Sequence, residues 1–248
     1  MKTLTITPNN RLQKARTEFL VRQEMSANQK VVADAPNIMS LSTFIRWAWE
    51  QAQIFGYPAA LENVLITQEQ TFLSWVDIIK NDESLITIMP PTELANSAVR
   101  AYKHLKLWKL TETDFTPDTD ESIRFQKWAT QFTSNMKGKV TEEEAIGIII
   151  DAIVDKAIPM PEQISLWAFD EVPPLFKALF EALSQCTTLQ YCSEEHPPAT
   201  CFQTASFDND TQLKNMAAWA YNTYEMEPSS TIAIVVPDLV AKRQLLID

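Results

Sequence analysis

Short apolar runs punctuate the chain at residues 4–7, 31–33, 164–169, 188–192 and 232–236, and each gives way to a helical pattern or a turn. Runs of this length alternating with helices predict an α/β fold built on a parallel sheet. After the first run, Pro8-Asn9-Asn10 supplies a turn or cap, and Leu12, Ala15 and Phe19 then recur at helical spacing. From about Phe55 to Pro159 the strand signals nearly vanish and amphipathic helices take over. Thr67 and Gln70 form a capping box ahead of Phe72, Trp75, Val76 and Ile79. Leu94, Ala98, Ala101, Leu105 and Trp108 make a second stripe, and Ile123, Trp128, Ala129 and Phe132 a third. Thr141 and Glu144 cap a fourth helix bearing Ala145, Ile148, Ile149, Ala152 and Ile153.

The sheet pattern resumes at Ile164, and Pro173 opens a helix with Leu175, Leu179, Phe180 and Leu183. Past Cys201 a further helix carries Leu213, Met216, Ala217, Ala220 and Tyr224, followed by a strand over 231–236. The expected layout is an α/β core from 1–55 and 160–204, a helical insertion over 56–159, and the beginning of a second α/β lobe at 205–248. A lobe that opens without continuing suggests a fragment of a longer protein.

Composition narrows the chemistry. With 248 residues, 46% of them hydrophobic, the chain can bury a sizeable core. A formal net charge of -11 opposes general coating of nucleic acid by the whole surface. The first thirty residues depart from that balance, carrying Lys2, Arg11, Lys14, Arg16, Arg22 and Lys30 against Glu18 and Glu24. There is no apolar signal segment at the start and no stretch near the ~20 apolar residues of a membrane span, so the expected compartment is the cytoplasm and no membrane partner is expected. Three cysteines, an odd number, fit a reducing environment. Cys186, Cys192, His196 and Cys201 match no compact zinc spacing, and no metal site is assigned.

The run ending at Phe169 delivers Asp170 and Glu171, the arrangement with which a nucleotide hydrolase holds Mg²⁺ and a water. The phosphate loop that should accompany it is missing. The chain has three glycines, Gly56, Gly138 and Gly147; Gly138-Lys139 is followed by Val140, and Thr133 stands where the first loop glycine belongs. A bound ATP or Mg²⁺ is therefore not expected. Asp170 and Glu171 read either as a residual, degenerate Walker B-like pair or as carboxylates favouring a helix N-terminus. Arg11, Lys14 and Arg16 read either as phosphate contacts or as a solvated helix face. The seven tryptophans fall mostly on apolar stripes, which points to packing ahead of base stacking. No Ser/His/Asp or Cys/His arrangement for nucleophilic catalysis is present.

Taken in order, these segments resemble the N-terminal region of AddB-like DNA repair proteins, inactivated relatives of superfamily 1 helicases that include the AddB and RecC subunits. Thr5-Ile6-Thr7-Pro8-Asn9-Asn10-Arg11-Leu12 resembles helicase motif Ia, and Ala35-Pro36-Asn37-Ile38-Met39-Ser40-Leu41-Ser42-Thr43-Phe44-Ile45 resembles the motif Ib region. The helices from Leu65 to Ile158 resemble the inserted subdomain 1B. Ala168-Phe169-Asp170-Glu171-Val172-Pro173-Pro174-Leu175 resembles the family's degenerate motif II, a pattern of glycine, aromatic, Asp/Thr and proline. Residues 207–224 and 232–239 resemble the helix and strand that open the second motor lobe, with Gln212 where relatives carry an acidic residue.

The resemblance implies a RecA-like, three-layer helicase fold that binds DNA without hydrolysing ATP, since the strand and glycine loop preceding motif Ia would fall before Met1. It implies DNA contacts from Asn9, Asn10 and Arg11, from Lys14 and Arg16 on the next helix, and from Ser42 and Thr43. The expected partners are single-stranded DNA or a duplex end and a helicase or nuclease subunit, in double-strand break repair. The family's C-terminal PD-(D/E)XK nuclease domain has no counterpart in this sequence and is expected in the parent protein. The alternatives are an ATPase with an atypical phosphate loop and a pure interaction scaffold.

Overall fold

A computed structural model describes residues 3–28, 35–82, 89–111, 114, 116–193, 200–237, 239 and 242–243. The chain divides into two units, Met1–Glu194 and Glu195–Asp248.

The first unit is α/β, with a four-stranded parallel sheet ordered β2-β1-β5-β6. Its strands are β1 (Thr3–Thr7), β2 (Ile38–Ser40), β5 (Gln163–Trp167) and β6 (Thr188–Cys192). Between them come α1 (Asn10–Asn28), α2 (Leu41–Ile54), α3 (Pro58–Glu62), β3 (Val64–Leu65), α4 (Gln68–Lys80), α5 (Pro91–Leu107), α6 (Asp120–Asn135), β4 (Lys139–Val140) and α7 (Glu142–Val154), and α8 (Pro174–Cys186) joins β5 to β6. The expected run at 31–33 lies outside the described residues.

Side chains alternate across a pleated strand, so each strand divides its residues between two faces. Leu4, Ile6, Ile164 and Leu166 line one face and are buried against α2, α7 and α8 through Phe44, Ile45, Ala48, Ile149, Ile153, Leu179 and Phe180. The other face is mostly polar, carrying Thr3, Thr5, Thr7, Ser40, Gln163, Ser165, Thr188 and Gln190 with Ile38 and Trp167 among them, and α1 covers part of it. This division explains a difference from the expected stripe on α1. Ala15 and Phe19 are exposed, whereas Leu12, Gln13, Arg16, Thr17 and Leu20 are half-buried, because a polar sheet face rewards hydrogen-bonding and cationic side chains over apolar ones.

A second apolar cluster joins α4, α5 and α6 through Trp75, Val76, Ile79, Ala95, Ala98, Tyr102, Trp128, Ala129 and Phe132. The capping boxes at Thr67/Gln70 and Thr141/Glu144 are both formed. On α5 the buried stripe is Ala95, Ala98 and Tyr102, so Ala101 and Trp108 face outward. On α6, Ile123 is exposed while Trp128, Ala129 and Phe132 are buried. The helix α7 packs its Ala145, Ile146, Ile149, Ala152 and Ile153 on the sheet's cluster. The short parallel pair β3–β4 sits among these helices, a pairing too brief to leave a periodic signal in sequence.

In the second unit, α9 (Asn209–Met226) is capped by Asp208, whose side chain accepts from the Thr211 N–H, and it buries Leu213. The expected strand over 231–236 carries no strand pairing among the described residues. A strand is defined by a ladder partner, and no other described segment of this unit is a strand. Asp238, which follows that run, lies outside the described residues.

Candidate nucleic-acid interface

The chain leaves β1 for β2 on one side and later returns to place β5 on the other, so the β1/β5 boundary is a topological switch point. In open α/β sheets, ligands favour the crevice at the carboxyl ends of strands at such a point. Three turns meet this edge. Residues 8–9 follow β1, Ser40 joins β2 directly to α2, and residues 168–173 follow β5.

The first two turns are built on buried hydroxyls. Thr7 and Ser40 are paired in the β1–β2 ladder and both are fully buried. Thr7 Oγ1 donates to Asn9 O at 3.1 Å, with Met39 O at 3.4 Å. Asn9 Oδ1 accepts from the Leu12 N–H at 3.0 Å, so Asn9 caps α1. Ser40 does the same for α2, accepting from the Thr43 N–H at 3.3 Å, while its Oγ lies 3.1 Å from Ser42 Oγ and 2.9 Å from Thr43 Oγ1. Two helix N-termini therefore start side by side from adjacent strands. Their first-turn N–H groups, at Asn10 and Arg11 and at Leu41 and Ser42, have no acceptor within their own helices, which suits them to an anion.

Of the residues expected to contact DNA, Asn9, Asn10, Arg11, Ser42 and Thr43 come together at this edge. Lys14 lies on α1 with its side chain exposed, as does Arg11. Arg16 is placed differently from a simple solvated cation. Its guanidinium lies 5.1 Å from the Trp167 ring centroid and 5.4 Å from that of Phe19, a stacked position that ties α1 to the end of β5. Ser42 and Thr43 share their hydroxyl bonds with the Ser40 cap. Asp170 and Glu171 are exposed on the turn after β5, ahead of the Pro173 cap of α8.

Sequence reasoning missed Gln13. Its Nε2 donates to Ile38 O at 3.0 Å and its Oε1 accepts from the Ser40 N–H at 3.2 Å. A glutamine four residues after the cap, on the side of the helix shared with Arg16 and Thr17, was the available signal.

Ala168 adopts φ 60° immediately after β5, and its N–H donates to Cys192 O at 3.0 Å. An L-residue in this left-handed conformation costs about 1–2 kcal/mol, part of which a glycine returns through its greater freedom when unfolded. Ala168→Gly is expected to stabilise the unit by about 0.5–1 kcal/mol, read as a higher denaturant midpoint at unchanged slope. A lower midpoint would show that the alanine methyl contributes packing that outweighs the strain.

Trp49, Trp75, Trp128 and Trp167 are buried and Trp47 is half-buried, while Trp219 and, against its place on the expected stripe, Trp108 are half exposed. Cys186 Sγ donates to Ile153 O at 3.3 Å, and His196 lies outside the described residues. Among the described residues no helix is long and apolar enough to cross a membrane. Neither the protein-family models nor the curated proteins compared with this chain give a match.

Proposed function

We propose that this chain is the helicase-like, ATPase-inactive N-terminal region of an AddB-like DNA repair protein, acting as a DNA-binding scaffold beside a helicase or nuclease subunit. The observation that carries the reading is the pair of adjoining helix N-termini at the carboxyl edge of the sheet, flanked by exposed Arg11 and Lys14 on α1. Amide donors, hydroxyls and exposed cations on one edge suit successive phosphates of a single strand, and they position a backbone without reading its sequence. The parallel sheet with α1 on one face and α2, α7 and α8 on the other is compatible with a three-layer RecA-like core. A further support comes from Ala168. The motif that its segment resembles begins with glycine, and the backbone at Ala168 holds the left-handed conformation that glycine favours.

No catalytic residue is assigned in this reading, and Asp170 and Glu171 serve the turn into α8. Binding is electrostatic, so each lost phosphate contact lowers the slope of log affinity against log salt by about 0.7 for single strands. Arg11→Ala/Lys14→Ala is expected to weaken binding of a fluorescein-labelled single-stranded oligonucleotide at low salt and to flatten that slope by about 1.4. Wild-type affinity and slope in the double variant would remove α1 from the interface. Arg16 is left intact in this test because its stacking on Trp167 would confound charge with packing.

A further inference from the structure

We propose that Gln13 is a positioning residue that fixes the spacing of the two candidate phosphate-contact turns, so that the N-termini of α1 and α2 engage one DNA backbone together. This inference rests on the DNA-binding reading and assigns a role within it. Gln13 makes no contact with DNA in this account and acts through Ser40 and Ile38.

The geometry is specific. Gln13 lies on the first turn of α1, and its amide spans to both sides of Met39, donating to Ile38 O at 3.0 Å and accepting from the Ser40 N–H at 3.2 Å. It thereby satisfies backbone groups at the carboxyl end of an edge strand that is only three residues long. Among the described residues that strand has β1 on one side and no ladder on the other, so its last residues depend on side chains for their remaining bonds. Ser40 is also the cap on which Ser42 and Thr43 converge. The Thr7 hydroxyl reinforces the arrangement from the other strand by donating to Asn9 O. One amide side chain on the first turn thus sets where the second turn begins.

A phosphate contact and a brace are separable in experiment. Removing a contact releases fewer counterions and flattens the salt dependence, whereas removing a brace misplaces contacts that still form at a cost. Gln13→Met preserves side-chain length and removes both hydrogen bonds. For this variant of the full chain, amide hydrogen exchange at Ser40 is expected to quicken roughly five- to tenfold, the scale of one lost hydrogen bond. Affinity for single-stranded DNA is expected to fall by about the same factor while the salt slope stays that of the wild type. The thermal midpoint, measured alongside, reports that the fold is retained.

Wild-type binding in Gln13→Met, with or without faster exchange at Ser40, overturns the proposal. A flattened salt slope overturns it as well, by making Gln13 a direct contact. A variant that fails to fold is replaced by Gln13→Leu under the same two readouts. If the wild type itself binds no DNA, the DNA-binding reading fails and this role for Gln13 falls with it; normal wild-type binding with an unaffected variant sinks the brace alone.

Discussion

Trp75→Ala is expected to lower the unfolding free energy of the Met1–Glu194 unit by about 3–5 kcal/mol, the range for deleting a buried large aromatic. Trp75 is fully buried, stacks on Phe132 at a centroid distance of 4.9 Å and on Phe125 at 6.0 Å, and meets Tyr102 edge-on at 5.6 Å. Alanine would leave a cavity walled by three aromatic rings, which cannot collapse to fill it. Since whole domains are stable by only about 5–15 kcal/mol, the α4–α5–α6 cluster would lose much of its cooperative packing. The indole has a second property that sharpens the expectation. Trp75 Nε1 is buried without a hydrogen-bond partner, and such a donor carries a desolvation cost of about 1–3 kcal/mol. Trp75→Phe removes that cost together with some volume, so it should be far milder than the alanine variant. Equal losses for the two, by denaturant titration, would contradict this account of the cluster.

Glu144→Ala should be the next most damaging change, by about 2–3 kcal/mol, because one carboxylate joins the two apolar clusters. Its Oε2 accepts from the Thr141 N–H at 3.0 Å and closes the capping box of α7, which packs on the sheet. Its Oε1 accepts from the Tyr102 hydroxyl at 3.0 Å on α5 and lies 3.4 Å from Lys106 Nζ. Alanine opens the capping box, leaving the Thr141 side chain as its remaining half, and takes from the buried Tyr102 hydroxyl its 3.0 Å acceptor, leaving Thr133 Oγ1 at 3.5 Å beside Lys106. Glu144→Gln keeps an acceptor and should lose less. Burial, with the Glu144 charge adding to it, holds the Tyr102 hydroxyl above the ordinary tyrosine range despite opposing contributions from Thr133 and Lys106. A phenol whose folded pKa is raised contributes stability that is complete below the unfolded pKa and is lost as pH rises through the folded one. Stability should therefore decline above about pH 10, and less so in Tyr102→Phe.

The elements that sequence periodicity made legible are those whose faces differ strongly in polarity. Leu4 and Ile6, and Ile164 and Leu166, announce central strands because one of their faces meets a wholly apolar layer. Capping boxes at Thr67 and Thr141 were equally readable, since the same four residues supply both the donors and the acceptors. Short pairings left no comparable trace. The strand β2 has three residues and β3 and β4 two each, below the length at which alternation separates from chance. The inward face of α1 departs from the expected stripe for a physical reason, because it packs on a sheet face of threonine and serine interrupted by Ile38 and Trp167, and Gln13 and Arg16 are among its inward residues. The run at 231–236 has strand-like composition, but composition alone does not supply a ladder partner.

The candidate interface was legible as residue types and opaque as geometry. Asn9, Asn10, Arg11, Ser42 and Thr43 were identified as separate turns thirty residues apart, and it is the parallel pairing of Thr7 with Ser40 that brings them to one edge. Arg16 looked interchangeable with Arg11 and Lys14 in sequence, yet the Trp167 ring beneath it depends on β5 lying next to β1. Gln13 carries no motif, and its importance arises only once α1 and β2 are in place.

The most direct test of the central claim is the fluorescence anisotropy of a labelled single-stranded oligonucleotide titrated with the wild-type chain across a series of salt concentrations, with a blunt duplex in parallel. The account predicts saturable single-strand binding whose log affinity falls linearly with log salt, as phosphate contacts release counterions. Absence of binding at the lowest salt, or binding indifferent to salt, would contradict it and leave a protein-interaction scaffold as the role of this fold.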